Sequence, residues 1–357
     1  MGPGGRARMD MVESVTRESE TIRSFLLVPV DGGPVLAHAP GQSLGIRFDL
    51  PGHGVLKRNY SVSCAPNDRA YRITVKREGA PGRPAGLVSS WLHDAAGPGT
   101  VLSVAAPAGD FVLPSPVPPT VLLIAGGSGI TPCMAMLGEL RKRSPATRVT
   151  LLYFARSLRD RILAQQLTEL TQRWTSFTYV PLDSTAHTPT CPEDGRTPPA
   201  LNPPAAGIRT LDEALLRDTL PAWPHTVTYC CGPAPLMEAA RRIWAQAGVS
   251  RNLHLEAFAA PLPSGDPNAR HHVTLHRAGE SREFDAAGNL TLLVAGEQAG
   301  FQIKHGCRQG ICHECTCRLH RGSVQDLGSG QRIDGEGQPI RLCVSAALSD
   351  LDLESLN

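Results

Sequence analysis

At 357 residues, with 41% apolar content and a formal net charge of +2, the chain is too long for one average domain and can fill two or three packed cores. The near-neutral balance argues against nucleic acid or an anionic membrane surface as a partner, and no apolar run reaches the length of a membrane span. The first dozen residues lack the apolar centre of a signal peptide, so a cytoplasmic protein with reduced cysteines is expected, and a monomer is taken as its state.

Residues 1–13 read as a disordered tail and 14–113 as a β-rich first domain. Alternating apolar residues between turn residues predict strands at 24–30, 43–48, 60–63, 71–76 and 101–105. Three strings stand out: Arg58-Asn-Tyr60-Ser61, Gly86-Leu-Val-Ser89 opening a short helix, and Pro107-Ala-Gly109-Asp-Phe111. Arg58 suits a charge-assisted bond to a phosphate, and Tyr60 can lie flat on an aromatic ring with its hydroxyl free. Ser61 offers a hydroxyl or amide at that ring's edge. Gly86 and Ser89, at a helix start, suit a second phosphate contact. Taken singly, each has an ordinary reading: Arg58 as a surface charge, Tyr60 as a core aromatic.

Pro114-Ser-Pro116-Val-Pro118-Pro119 is a stiff connector to a second domain over 120–260. The apolar run 121–125 has the character of a buried parallel strand. It leads into Gly126-Gly127-Ser-Gly129-Ile-Thr131-Pro132 and a helix through Arg143. Thr131 is expected as the N-cap and Pro132 at the first helical position, while the glycines let a diphosphate reach the amides at the helix start. A second strand, 149–154, ends at Arg156-Ser157, where a dinucleotide ribose would lie. An acidic residue there favours NAD and an arginine accommodates a 2′-phosphate, which leaves NADPH and NADH both open. Residues 181–207, rich in Pro, Thr and Ala, read as a surface insertion. A later strand, 227–231, ends at Cys231-Gly232-Pro233 and is followed by a helix over 236–247. Glu256-Ala-Phe258 closes the domain.

A linker over 261–270 precedes a third domain, 271–357. Segments 273–277 and 282–284 form a hairpin, and 290–298 is helical with Gly300 as its stop. Then come Cys307, Cys312 and Cys315, with Cys343 downstream. This C-x4-C-x2-C…C spacing wraps a [2Fe–2S] cluster. Gly306 and Gly310 let the backbone pass close to the first thiolate, so that loop amides can face an anionic cluster. Structural zinc prefers paired short spacings, and disulfides need an oxidising compartment. Cys343 lies in an apolar, strand-like run that would close the cage. Cys317 is expected on an outgoing strand, turned away from the cluster.

The third domain's order of hairpin, helix, cluster loop and returning strand resembles the β-grasp fold of plant-type ferredoxins. That likeness implies Cys307 and Cys312 on one iron and Cys315 and Cys343 on the other. GGxGxTP followed by CGP resembles the NAD(P) domain of the ferredoxin–NADP reductase family. It implies that Gly127, Gly129, Thr131 and Pro132 hold the diphosphate, that Arg156 and Ser157 meet the ribose, and that Cys231, Gly232 and Pro233 border the nicotinamide. RxYS, GxxS and PxGxF resemble the flavin domain of the same family, with wording near the reductase half of flavohaemoglobins. This favours FAD, although phthalate-dioxygenase-type reductases of the same domain order use FMN.

The implied architecture is multidomain: an antiparallel β-barrel flavin domain, an α/β parallel-sheet NAD(P) domain and a β-grasp ferredoxin domain. The implied activity is that of an NAD(P)H:acceptor oxidoreductase. It passes electrons from NAD(P)H through flavin and a [2Fe–2S] cluster to a partner oxygenase, hydroxylase or desaturase. Ser61 and Cys231 are then neighbours of the transferred hydride, and no nucleophile is assigned. Phe258 either covers the flavin face or belongs to the core. The competing reading is a redox-sensing or zinc-stabilised regulator without turnover, which predicts no bound flavin; RxYS and CGP argue against it.

Overall fold

The structure is a computed structural model that describes residues 7–356 apart from 51–53, 80–85, 158–159, 184–209, 259–262, 264, 278, 306–307, 309 and 311–312. Cys307, Cys312, Gly306 and nearly all of the expected 181–207 insertion therefore lie outside the described residues.

The first domain is a six-stranded antiparallel sheet of β1 (Arg8–Arg17), β2 (Ile22–Pro29), β3 (Ser43–Leu50), β4 (Gly54–Ser61), β5 (Tyr71–Lys76) and β6 (Val101–Val104). Its order is β4-β3-β6-β1-β2-β5, and an antiparallel bridge between Val62 and Ile73 brings the two ends together into a nearly closed barrel. Alternation along β2 and β3 sends Phe25, Leu27, Leu44, Ile46 and Phe48 inward to one core. Residues 8–13 belong to β1, which corrects the expected tail: β1 pairs with both β2 and β6, and this tertiary pairing orders a segment too short to announce a strand by itself. Helix α1 (Leu87–Asp94) starts at Gly86, as GxxS predicts.

The second domain is a five-stranded parallel sheet: β7 (Thr120–Gly126), β8 (Arg148–Ala155), β9 (Phe177–Asp183), β10 (Val227–Cys231) and β11 (Leu253–Glu256). With the order β11-β10-β7-β8-β9, strand order reverses between β7 and β10. A crevice outside the carboxyl ends of these two strands is where such sheets bind ligands. Helices α2 (Ile130–Arg143), α3 (Ala164–Arg173), α4 (Glu213–Thr219) and α5 (Ala234–Gln246) accompany the sheet. Residues 181–183, expected in the insertion, are the end of β9, in register with Tyr153, Phe154 and Ala155. Ile22 and Phe111 from the first domain pack into this domain's core, and the Tyr229 hydroxyl donates to the Val112 carbonyl at 2.7 Å.

The third domain holds a mixed sheet of β12 (Arg270–Arg277), β13 (Glu280–Ala287), β14 (Thr316–Arg321), β17 (Gln338–Arg341) and β19 (Leu351–Ser355). A small sheet of β15 (Ser323–Asp326), β16 (Arg332–Asp334) and β18 (Ser345–Ala347) lies beside it. Strands β12 and β13 form the expected hairpin, and helix α6 (Leu292–Gln298) is capped by the Thr291 hydroxyl accepting from the Val294 amide. Gly300, at φ +84°, follows it in the left-handed conformation that stops helices. Arg270, placed in the expected linker, opens β12. The run around Cys343 is a 3-10 turn over Leu342–Val344 rather than a strand.

Candidate active site

Residues from all three domains line one cavity of about 820 Å³. From β4 come Arg58, Tyr60 and Ser61, and from the start of α1 come Gly86 and Ser89. Ser128, Thr131 and Phe258 arrive from the second domain, and His305 and Arg308 from the third. A cavity of this size is within the range that encloses cofactors.

On the barrel side, Tyr60 packs edge-to-face on Phe48, which fixes its ring, and burial raises its hydroxyl above the ordinary phenol value. Arg58 is exposed at the cavity, where its guanidinium donates to the Lys57 carbonyl at 2.7 Å. The Ser89 hydroxyl donates to the Gly86 carbonyl and accepts from the Glu78 amide, both at 3.1 Å. Ser89 thus fixes the turn, and the first amides of α1 are of the kind that a helix start offers to an anion.

On the nucleotide side the glycines are close-packing devices. A Cβ on Gly129 would stand 2.0 Å from the Cys231 carbonyl oxygen, and one on Gly126 would meet the Pro233 ring at 2.6 Å. The two motifs therefore sit backbone against backbone at the reversal point of the sheet. Gly127, at φ +53°, makes the turn that only glycine takes readily. A 3-10 turn over Gly127–Gly129 runs straight into α2, so the helix begins at Ile130 and not at Pro132. Thr131 is no N-cap: its hydroxyl donates to the Ser128 carbonyl at 2.9 Å from within the first turn. Pro132 is the third helical residue, where its missing N–H still costs nothing.

Arg156 and Ser157 follow the end of β8, and both bind Asp160, at 2.7 and 2.8 Å. The arginine expected at the ribose is thus present but tethered to a carboxylate.

One functional residue escaped sequence reading. Glu256 ends β11 in register with Cys231 on β10, and it accepts a 3.4 Å hydrogen bond from the Ser61 hydroxyl. It is 7% exposed, and burial lifts its carboxyl to about 8, with the Ser61 bond acting the other way. Burial, then Glu256 and Cys133, push the Cys231 thiol well above the ordinary thiol value, so it is no thiolate nucleophile. The Ser61–Glu256 bond is buried and crosses from the barrel to the parallel sheet, where Cys231 stands beside Glu256 in register. The signal was an acid closing an apolar strand, which without its partner reads as a boundary.

In the third domain, Cys315 and Cys343 are buried, and the Gly310 amide donates to the Cys343 sulfur at 3.2 Å. An amide aimed at a buried thiol is what a cluster cage requires. A Cβ on Gly310 would lie 2.9 Å from Val344, and its φ of +77° selects glycine. Cys317 is buried on β14. Of the four expected ligands the structure describes Cys315 and Cys343, and the burial of both with an amide on one sulfur fits a cluster. The described residues fit a flavin as well, through the cavity, the ring-bearing Tyr60 and the amides of α1.

Residues 123–242 match the oxidoreductase NAD-binding domain, and residues 275–348 match the 2Fe-2S iron-sulfur cluster binding domain. An NADPH oxidoreductase of Mycobacterium tuberculosis is 35% identical over 348 residues, covering 95% of this chain and 82% of that one. Among solved structures, the flavohem-like FAD/NAD binding domain of nitric oxide dioxygenase from Vibrio cholerae O1 biovar El Tor is 30% identical. It covers 71% of this chain and 99% of that one, at a TM-score of 0.57. Phthalate dioxygenase reductase, described as a modular structure for electron transfer from pyridine nucleotides to [2Fe–2S], is 26% identical. It covers 97% of each chain at a TM-score of 0.60. The chain belongs to the ferredoxin–NADP reductase-type oxidoreductases that carry a C-terminal 2Fe–2S ferredoxin domain. It is an NAD(P)H oxidoreductase. Among the described residues, no helix is long and apolar enough to cross a membrane.

Proposed function

We propose that the chain serves an external oxygenase, hydroxylase or desaturase as its electron-supplying component, with FAD as the flavin. The convergence of three domains on one cavity supports this reading most directly: His305 and Arg308, which flank Cys307 in the chain, share a wall with Tyr60 and Thr131. The oxygenase partner follows the printed name of the phthalate dioxygenase reductase, and FAD follows the Vibrio cholerae domain.

When bound, the flavin accepts a two-electron hydride and the cluster carries single electrons onward. The chain supplies position. Tyr60 backs the flavin ring, the α1 amides and Arg58 hold phosphate, and Phe258 stands at the cavity where nicotinamide must enter. Gly127, Gly129, Thr131 and Pro132 shape the diphosphate turn, and Gly232 and Pro233 complete the nicotinamide edge with Cys231. Ser61 and the protonated Glu256 present neutral, hydrogen-bonded groups at that edge, so no buried charge opposes hydride arrival. Arg156 and Ser157 read the ribose end, with Asp160 as the group that a 2′-phosphate must displace. Cys307, Cys312, Cys315 and Cys343 hold the cluster.

Cys312→Ser tests the carrier order. Reduction of cytochrome c by NAD(P)H is expected to fall to background while ferricyanide reduction persists, because reduced flavin reaches small acceptors directly. Loss of both activities with flavin still bound would refute the order.

A further inference from the structure

We infer that the ion pair between Lys57 and Glu314 docks the ferredoxin domain onto the flavin barrel and positions the cluster loop for electron transfer. The inference rests on the flavin-to-cluster order proposed above. The Lys57 ammonium reaches both oxygens of the Glu314 carboxylate, each at 2.8 Å, across 257 residues of sequence. Its two ends adjoin residues assigned above to the two redox centres. Lys57 is on β4, three residues before Tyr60, and Glu314 immediately precedes Cys315. A lysine elsewhere on the barrel, or an acid elsewhere on the third domain, would join the domains without aligning these two segments.

A second contact, from the Arg241 guanidinium to the Gly328 carbonyl, ties the third domain to the nucleotide domain. Its acceptor is an uncharged carbonyl, whereas Lys57–Glu314 joins two full charges. The side chains of the pair are 34% and 31% exposed, so water and salt reach them. A pair of that exposure changes an equilibrium by at most about fivefold, and added salt screens it. It therefore biases a docked form over an undocked one and does not lock the domain in place. A bias of this size lets the cluster face the flavin while loading and remain free to meet a protein acceptor afterwards.

The test uses the full-length, cofactor-loaded protein in anaerobic stopped flow, following flavin reduction and cluster reduction at separate wavelengths. In Glu314→Gln, flavin reduction by NADPH is expected to stay unchanged, and the flavin-to-cluster step to slow up to about fivefold. The wild-type step should slow with rising sodium chloride and the variant's should not. The charge-swapped double variant Lys57→Glu/Glu314→Lys should recover rate and salt dependence together, which a merely structural role of either residue would not produce. Small-angle scattering of the oxidised protein gives a readout independent of turnover: Glu314→Gln should have the larger radius of gyration at low salt and match wild type at high salt. Should Glu314→Gln load cluster poorly, Lys57→Gln, on the barrel strand and 257 residues from Glu314 in sequence, is measured for the same salt response of the internal step. A wild-type step indifferent to salt, or a double variant no better than either single one, overturns the inference. Failure of both NADPH and NADH to reduce the wild-type flavin would instead refute the carrier order beneath it.

Discussion

Burial at the end of β11 raises the Glu256 carboxyl from 4.5 to about 8, while the Ser61 hydroxyl works in the opposite direction. Between those two values the folded protein holds a proton that the unfolded chain has released. Stability contributed at this position is therefore full below 4.5 and declines as pH rises through the window to about 8. The decline amounts to several kcal/mol, at about 1.4 kcal/mol per unit. Glu256→Gln keeps the shape and the acceptor for Ser61 but cannot ionise. It is expected to flatten the fall in urea-unfolding stability between about pH 5 and about pH 8. It should also remove an inflection near pH 8 in the rate of flavin reduction by NAD(P)H. Parallel stability curves for variant and wild type would show that the carboxyl is solvated in the folded protein.

Where β7 and β10 end, the site depends on how closely two backbones approach, and the two central glycines of the turn do different work. Gly129 lies against the Cys231 carbonyl, with 2.0 Å to any added Cβ, whereas a Cβ on Gly127 would meet nothing within 4 Å. Gly129→Ala must push α2 from β10, and is expected to cost about 1–3 kcal/mol of stability in denaturant unfolding and to raise the KM for NAD(P)H. Gly127→Ala should cost only about 1–2 kcal/mol, through its φ of +53°. Similar losses of NAD(P)H affinity in both variants would show that the turn, and not the close approach, governs binding. Much of this was legible beforehand. Strands β5 and β10 match their expected bounds, because short apolar runs ending in glycine or charge leave little choice of boundary. The rest depends on distant partners. Strand β1 is ordered by pairing with β2 and β6, although only Asp10 and Val12 along it are buried. Glu256 owes its raised carboxyl to burial in the folded protein, where Ser61, 195 residues away, comes within hydrogen-bond distance. Cys343 is delivered by a 3-10 turn that brings its sulfur to the Gly310 amide, and an apolar run does not announce such a turn.

Across the molecule, the cores divide unevenly. The nucleotide sheet and the barrel share packing, since Ile22 and Phe111 lie in the same apolar cluster as Val121 and Tyr229, and Arg72 of β5 donates to Gln166 of α3 at 3.0 Å. Among the described residues, the ferredoxin domain's core, from Val273 to Leu353, includes no residue of the other two. Polar contacts such as Lys57–Glu314 and Arg241 to Gly328 join it to them. Cooperative unfolding follows shared core, so two calorimetric transitions are expected in the full chain, one for the barrel with the nucleotide sheet and one for the ferredoxin domain. Cluster binding is folding free energy for the domain that holds it. Cys343→Ser should therefore lower the midpoint of the ferredoxin transition and leave the other unmoved. A single transition that shifts as a whole would mean that the polar contacts couple the domains as tightly as a shared core does. In that case the cluster could not undock to meet its acceptor, and electrons would have to leave from the docked form.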